Sequence, residues 1–260
     1  MGATILPGVV RSEFTKFRSV RSTYATVAAT FVAAAALGPL QCALYASRFP
    51  NIDAEERASF SAAHLSLNGI LLAQLAVGVL GVLLISSEYT TGMIRATLAA
   101  VPQRRTVLLA KGLVFTAVVL IVSEIACFIA FFAGQAFLAN KGLQAHLSDP
   151  GVLRAVIGGG LYLAVLGLLA LALGTIIRHS AGAIATLAGV LFVLPGIVSA
   201  LPRATQDAIA QYLPSNAGAQ IFAIRIEPHT LQPWAGLGVF CIWTAIALAG
   251  AAIVLVRRDA

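Results

Sequence analysis

The chain has 260 residues, of which 59% are hydrophobic and only 10% charged, with a mean hydropathy of +0.92. Ordinary soluble domains carry about 25% charged residues, so this composition excludes a soluble enzyme, a secreted disulfide scaffold and a disordered tail; most of the exterior must face lipid. The net charge of +7 arises from bases lying between apolar runs, whereas a nucleic-acid surface needs them clustered on a solvated face, so no nucleic-acid partner is expected.

Crossing roughly 30 Å of hydrocarbon takes about 20 apolar residues in a helix. Six runs meet this requirement: 23–47, 65–86, 112–140, 155–177, 180–202 and 231–256. They are continuously apolar, unlike the alternating ten-residue strands of a membrane barrel, and no remaining piece is long enough to bury a soluble core. The sequence therefore predicts an all-α integral membrane protein, with 1–260 forming a single transmembrane domain of six helices.

Ahead of the first span, residues 1–22 place Val10, Phe14 and Phe17 on one helical stripe and Arg11, Lys16, Arg18 and Arg21 on the opposite arc. This is the pattern of a helix lying in the headgroup plane. The first span is longer than the apolar region of a signal peptide and is followed by five more, so it is expected to be retained. Pro39 is expected to kink it. In the second span, Asn68 and Gln74 either join helices by hydrogen bonds or line a path.

The connection between spans two and three, 87–111, is the most informative stretch. Met93 or Ile94, Leu98 and Val101 recur near helical spacing, Thr90 or Thr91 is placed to cap, and Pro102 to stop the run. It reads as a short amphipathic helix at the inner membrane surface.

Span three carries Glu124, about 18 Å along the helix. A charge near mid-bilayer costs about 2.5–3.5 kcal/mol on insertion scales, so Glu124 is expected to face protein. It serves either a proton relay or cationic cargo, or an interhelical hydrogen bond. Gln135 reads as helix glue. Gly158-Gly159-Gly160 with Ala164 in span four, and Gly182, Thr186 and Gly189 in span five, permit close crossings; Pro195 is expected to kink span five. Residues 203–230 are long for a connector and are read as a re-entrant outer segment of short helices around Pro214.

Cys42, Cys127 and Cys241 lie in apolar runs without paired spacing, and His64, His146, His179 and His229 are dispersed, so neither disulfide nor metal site is expected. Arg11, Lys16, Arg18, Arg21, Arg95, Arg104, Arg105, Lys111, Arg178, Arg257 and Arg258 fall on the side of the amino terminus; only Arg48, Arg57, Lys141, Arg154, Arg203 and Arg225 fall on the other. The positive-inside rule then places both termini in the cytoplasm; the expected location is the plasma membrane.

Glu88, Gly92, Leu98, Pro102, Arg105 and Lys111 occur in an order that resembles the membrane-spanning subunits of type-2 ABC transporters, mostly exporters. The layout agrees over nearly the whole chain, although the specific sequence match covers only about twenty-five residues. Gly92-Met93 stands where many members have Gly-Thr, and Arg104-Arg105 differs from the commonest versions.

The resemblance implies that 87–111 is a coupling helix seated in a separate cytoplasmic ATPase. Glu88 would meet a basic group of that partner, Met93, Ile94 and Leu98 would bury apolar area on it, and Tyr89, Thr90, Gly92 and Arg95 would share the contact. Arg178 and His179, in the turn between spans four and five, would form a second contact. The outer segment would act as a gate. The resemblance also implies two ATPase copies, a second permease copy as homodimer or heterodimer, and ATP and Mg held in the partner.

This chain has no phosphate-binding Gly-x-x-x-x-Gly-Lys, so it is not expected to be an enzyme by itself or to hold a cofactor. Spans two and five border the cavity in such transporters. Span five offers only Ser180, Thr186 and Ser199 as polar side chains, which points to export of an apolar or amphipathic small molecule: drug-like, lipid-like or a peptide. The alternative is a proton-coupled secondary carrier built on Glu124. A membrane enzyme finds no nucleophile and base pair in the sequence.

Overall fold

In lipid a helix satisfies every backbone N–H and C=O within its own segment, and the apolar runs fold accordingly. The computed structural model describes all residues except 1–5, 20, 50–52, 54–56, 58, 59, 102 and 258–260, and only the backbone of 18, 19 and 21–23. Pro102, Glu55, Glu56 and Arg258 therefore lie outside the described residues, as do the side chains of Arg18 and Arg21. Among the described residues there are six helices long and apolar enough to cross a membrane, and no strand.

Helix α1 (Leu6–Ser19) precedes α2 (Arg21–Arg48), which runs through Pro39. The second span is broken into α3 (Ala62–Ser66) and α4 (Ile70–Thr90). A short helix, α5 (Met93–Ala100), leads to α6 (Arg104–Ala139). Then follow α7 (Val152–Ile177), α8 (Ser180–Ala188) and α9 (Leu194–Ser199). The far segment contains α10 (Arg203–Ile209) and α11 (Pro214–Ala219) with short 3-10 turns, and α12 (Pro233–Arg257) closes the chain.

Two boundaries differ most from the sequence expectation. Helix α4 continues past Glu88, and α6 begins at Arg104 rather than near Gly112. At 36 residues, α6 is about 54 Å long, well beyond the hydrocarbon thickness. Apolar-run length misses these ends because Glu88 and Lys111 are charged, yet each is neutralised within the fold. In the fifth span the interruption at Pro195 takes the form of a π turn, Gly189–Val193, just before it. Proline has no N–H for the carbonyl four residues back, and a widened turn accommodates the gap.

Helix α7 sits at the centre, packed against α4, α6 and α12, while α2 packs on α6 and α4. Its three consecutive glycines each meet a different neighbour. A Cβ at Gly158 would strike the Ile221 carbonyl, at Gly159 the side chains of Ile70 and Cys127, and at Gly160 the Glu124 carboxyl. The run thus lets three elements approach one helix at successive positions, which supplies the close crossing.

The far segment is folded onto this centre. Pro214, Ala217, Gly218, Ile221 and Phe222 are buried, and Phe222 packs edge-on against Tyr162. Arg154 of α7 donates to the carbonyls of Ile221 (2.8 Å), Ala223 (2.8 Å) and Gln220 (3.3 Å). One guanidinium therefore satisfies the Ile221 and Ala223 carbonyls at the end of the final 3-10 turn and shares that of Gln220 with the Ala223 N–H.

At the opposite end, Arg104 donates to the carbonyl of Leu255 (2.9 Å) and Arg178 to that of Val254 (3.4 Å). Two cations thereby meet the negative end of the α12 dipole. The contact places the last helix at the same end of the bundle as α1 and α5.

Candidate functional site: a buried charge cluster beneath α5

Glu13 and Lys16 lie one turn apart on α1, Glu88 near the end of α4, and Lys111 in the second turn of α6. Their side chains meet. Lys111 Nζ is 2.6 Å from Glu13 Oε2 and 2.8 Å from Glu88 Oε1; Lys16 Nζ is 2.7 Å from Glu13 Oε1 and 3.5 Å from Glu88 Oε1. Lys16 also donates to Thr97 Oγ1 of α5 at 3.1 Å. Four helices are joined through two bases and two acids whose formal charges cancel.

Glu13, Glu88 and Lys111 are 4%, 4% and 2% exposed, so each ion relies on its partners to offset lost hydration. For Glu13, burial pushes the carboxyl up, but Lys111 and then Lys16 outweigh it and hold the group below the usual range. For Lys16, burial pulls the ammonium down, and Glu13 and Glu88 reverse that and raise it. A cleft of about 200 Å³ lies at the cluster, reaching Phe17, Leu84 and Met93.

The cluster sets which side of α1 packs inward. Val9, Glu13 and Phe17 form the buried face, while Phe14 is 44% exposed and Val10 half-buried. Of the stripe Val10, Phe14 and Phe17 only Phe17 joins this face, and hydropathy misses Glu13 there because Lys111 draws in a carboxylate that it assigns to water.

Helix α5 starts at Gly92, whose φ of +71° suits glycine. Thr90 and Thr91 do not cap it; their hydroxyls donate back to the carbonyls of Ser86 and Ser87. Met93 and Arg95 are exposed, Leu98 is half-buried, and Ile94 is 2% exposed. Of the apolar residues expected on a partner, Ile94 is instead spent inside the chain. Glu88 likewise points inward to Lys111 and Lys16, so its carboxylate is not presented to a partner surface.

Arg178, held at φ +60°, stacks 4.9 Å over the half-buried Tyr89 ring, which fixes the turn before α8 to the end of α4. His179 is exposed, and its Nδ1 accepts from the Gly182 N–H at 3.3 Å, capping α8. Ser180 and Ser86 hydroxyls are 2.9 Å apart. Of the two residues of this turn, Arg178 is half-buried and His179 exposed.

The polar residues within the spans lie apart from this cluster and mostly pair with each other. Asn68 donates to Gln41 at 2.7 Å, Tyr162 donates to Gln74 at 2.7 Å, and Gln135 donates to Ser66 at 2.7 Å while accepting from the Ala145 N–H. Glu124 differs. It is half-buried against Gly160, and its buried Oε2 has no hydrogen-bond partner among the described residues. Among those residues no group of three or more His, Cys, Asp or Glu is placed to hold a metal.

Glu13, Lys16 and Thr97 were not singled out as site residues by the sequence. One signal was available: Glu13 is the only acid in the first fifty residues, and it falls on a helix otherwise rich in bases.

Six apolar spanning helices, with a small protruding helix tied into them by buried ions, define a multi-pass membrane protein with a mechanically anchored surface element. A family model described as ABC-2 family transporter protein matches residues 9–196. The chain belongs to that family and is a membrane component of an ABC-2 type transporter. The matched region runs from α1 into α9 and includes all four residues of the charge cluster. A search of curated proteins returns no significant match.

Proposed function

We propose that this chain is the permease subunit of an ATP-driven exporter, in which a separate cytoplasmic ATPase grips α5 and moves the spans through the charge cluster. The observation that carries this reading is the wiring of α5: Lys16 ties Thr97 to Glu13 and Glu88, and Lys111 ties both acids to α6. A push on the exposed face of α5 is delivered to α1, α4 and α6 together.

In this reading α1 is an interfacial helix, α5 the coupling helix, and both termini are cytoplasmic in the plasma membrane. The contact with the ATPase is made by Met93, Arg95 and their exposed neighbours, with His179 nearby. Two ATPase copies, which bind ATP and Mg, work with two permease chains. The 203–230 segment forms the outer gate. An apolar or amphipathic cargo suits the fifth span, where Thr186 and Ser199 hydroxyls donate to carbonyls of their own helix and Ser180 pairs with Ser86.

The second reading is a proton-coupled carrier, favoured only by the unpaired Oε2 of Glu124. Inside-out vesicles carrying the permease and its ATPase, given a lipophilic cationic dye in the bath and read by its uptake into the lumen, separate the two. Dye movement that requires ATP and survives collapse of the pH gradient supports the exporter. Movement that requires the gradient but no nucleotide overturns it.

A further inference from the structure

A second groove lies on the other side of α1, away from the charge cluster. Pro7, Val10, Arg11 and Phe14 recur at helical spacing along one stripe of α1, and a stripe of α6 from Leu113 to Ile121 faces them. The small side chains Val114, Ala117 and Val118 form part of its wall. The groove is open along one side and has a volume of about 560 Å³, within the roughly 300–1,000 Å³ of small-molecule sites.

The lining contains one charge. Arg11 is exposed at the groove, and its guanidinium has no hydrogen bond or ion pair among the described residues. The one acid of α1, Glu13, cannot neutralise it: two residues on, it faces the opposite side of the helix and is held by Lys111 and Lys16. An apolar slot beside a spanning helix, closed at one edge by an uncompensated cation, fits a ligand with a long hydrocarbon chain and an anionic head. Leu113 and Ile121, at 56% and 60% exposure, open the slot toward the surface that lipid covers.

We infer that the α1–α6 groove is a binding site for an anionic phospholipid, with an acyl chain between the two helices and the headgroup phosphate on Arg11. The site is separate from the charge cluster and does not depend on the transport reading.

The test is native mass spectrometry of the full chain released from nanodiscs of equal parts phosphatidylglycerol and phosphatidylcholine. The wild type is expected to retain one phosphatidylglycerol in preference to phosphatidylcholine. Arg11→Gln should lower that preference about fivefold, the effect of one basic residue near an anionic surface, while Arg11→Lys keeps it. Ala117→Phe, which fills the slot, should abolish retention of either lipid. Equal retention by wild type and Arg11→Gln, or undiminished retention by Ala117→Phe, would overturn the proposal. The Lys variant keeps the test decisive if the Phe variant folds poorly.

Discussion

Lys111 Nζ lies 2.8 Å from Glu88 Oε1, joining the start of α6 to the end of α4 beneath the short helix that links them. Removing one member of a buried pair strands the other, at a cost of about 3–5 kcal/mol. Lys111→Met leaves Lys16 alone to compensate both Glu13 and Glu88 and should lower the unfolding temperature in detergent. Adding Glu88→Gln to it should recover part of the loss, and a double variant no more stable than the single one would contradict the pairing.

The pH response follows from the two groups of α1. Glu13 is held below its ordinary value of 4.5 despite burial, so its contribution is complete above the unfolded value and is lost as pH falls through the lower folded one. Lys16 is raised above 10.5; its contribution is complete below that value and is lost as pH rises through the folded one. Unfolding temperature should therefore show little dependence on these two groups between about pH 5 and 10. Below that window the wild type should lose more stability than Glu13→Gln, as read by a melting series of both proteins.

The main architecture was legible because lipid leaves few choices: a continuous apolar run of sufficient length must be a helix. The same reasoning located the α5 region and the helical pieces around Pro214. It failed where ions are buried, because hydropathy assigns Glu13, Glu88 and Lys111 to water, and only their mutual contact brings them inside. It also missed that Ile94 packs inside the chain. Arg154 and Arg104 read as topology charges in the sequence; that they bind helix-end carbonyls depends on tertiary geometry.

Arg154 should control the far segment. Hydrogen bonds from a charged donor contribute about 1.5–3 kcal/mol each, and Arg154→Met removes three of them at the 3-10 turn. Hydrogen exchange over residues 214–222 should accelerate by at least an order of magnitude, with exchange in α4 unchanged. Equal protection in both proteins would show that the guanidinium does not hold the segment.

Gly92 tests the backbone of the α5 junction alone, because a Cβ there would meet no atom within 4 Å. At φ +71°, alanine should cost about 1–2 kcal/mol. Gly92→Ala should weaken the docking of α5 while sparing the spans, measured as faster exchange over 93–100 without a matching change in α7. Unaltered exchange in α5 would mean that the glycine is not needed for this turn.

The central claim, that α5 receives force from an ATPase, is tested most directly by purifying the tagged chain in mild detergent and assaying hydrolysis with and without vanadate. A nucleotide-binding subunit is expected to co-purify with vanadate-sensitive activity. Met93→Glu, on the exposed face of α5, should reduce its recovery at least tenfold with an unchanged unfolding temperature. A chain recovered alone, or ATPase binding that is indifferent to Met93→Glu and to Arg95→Glu, would contradict it.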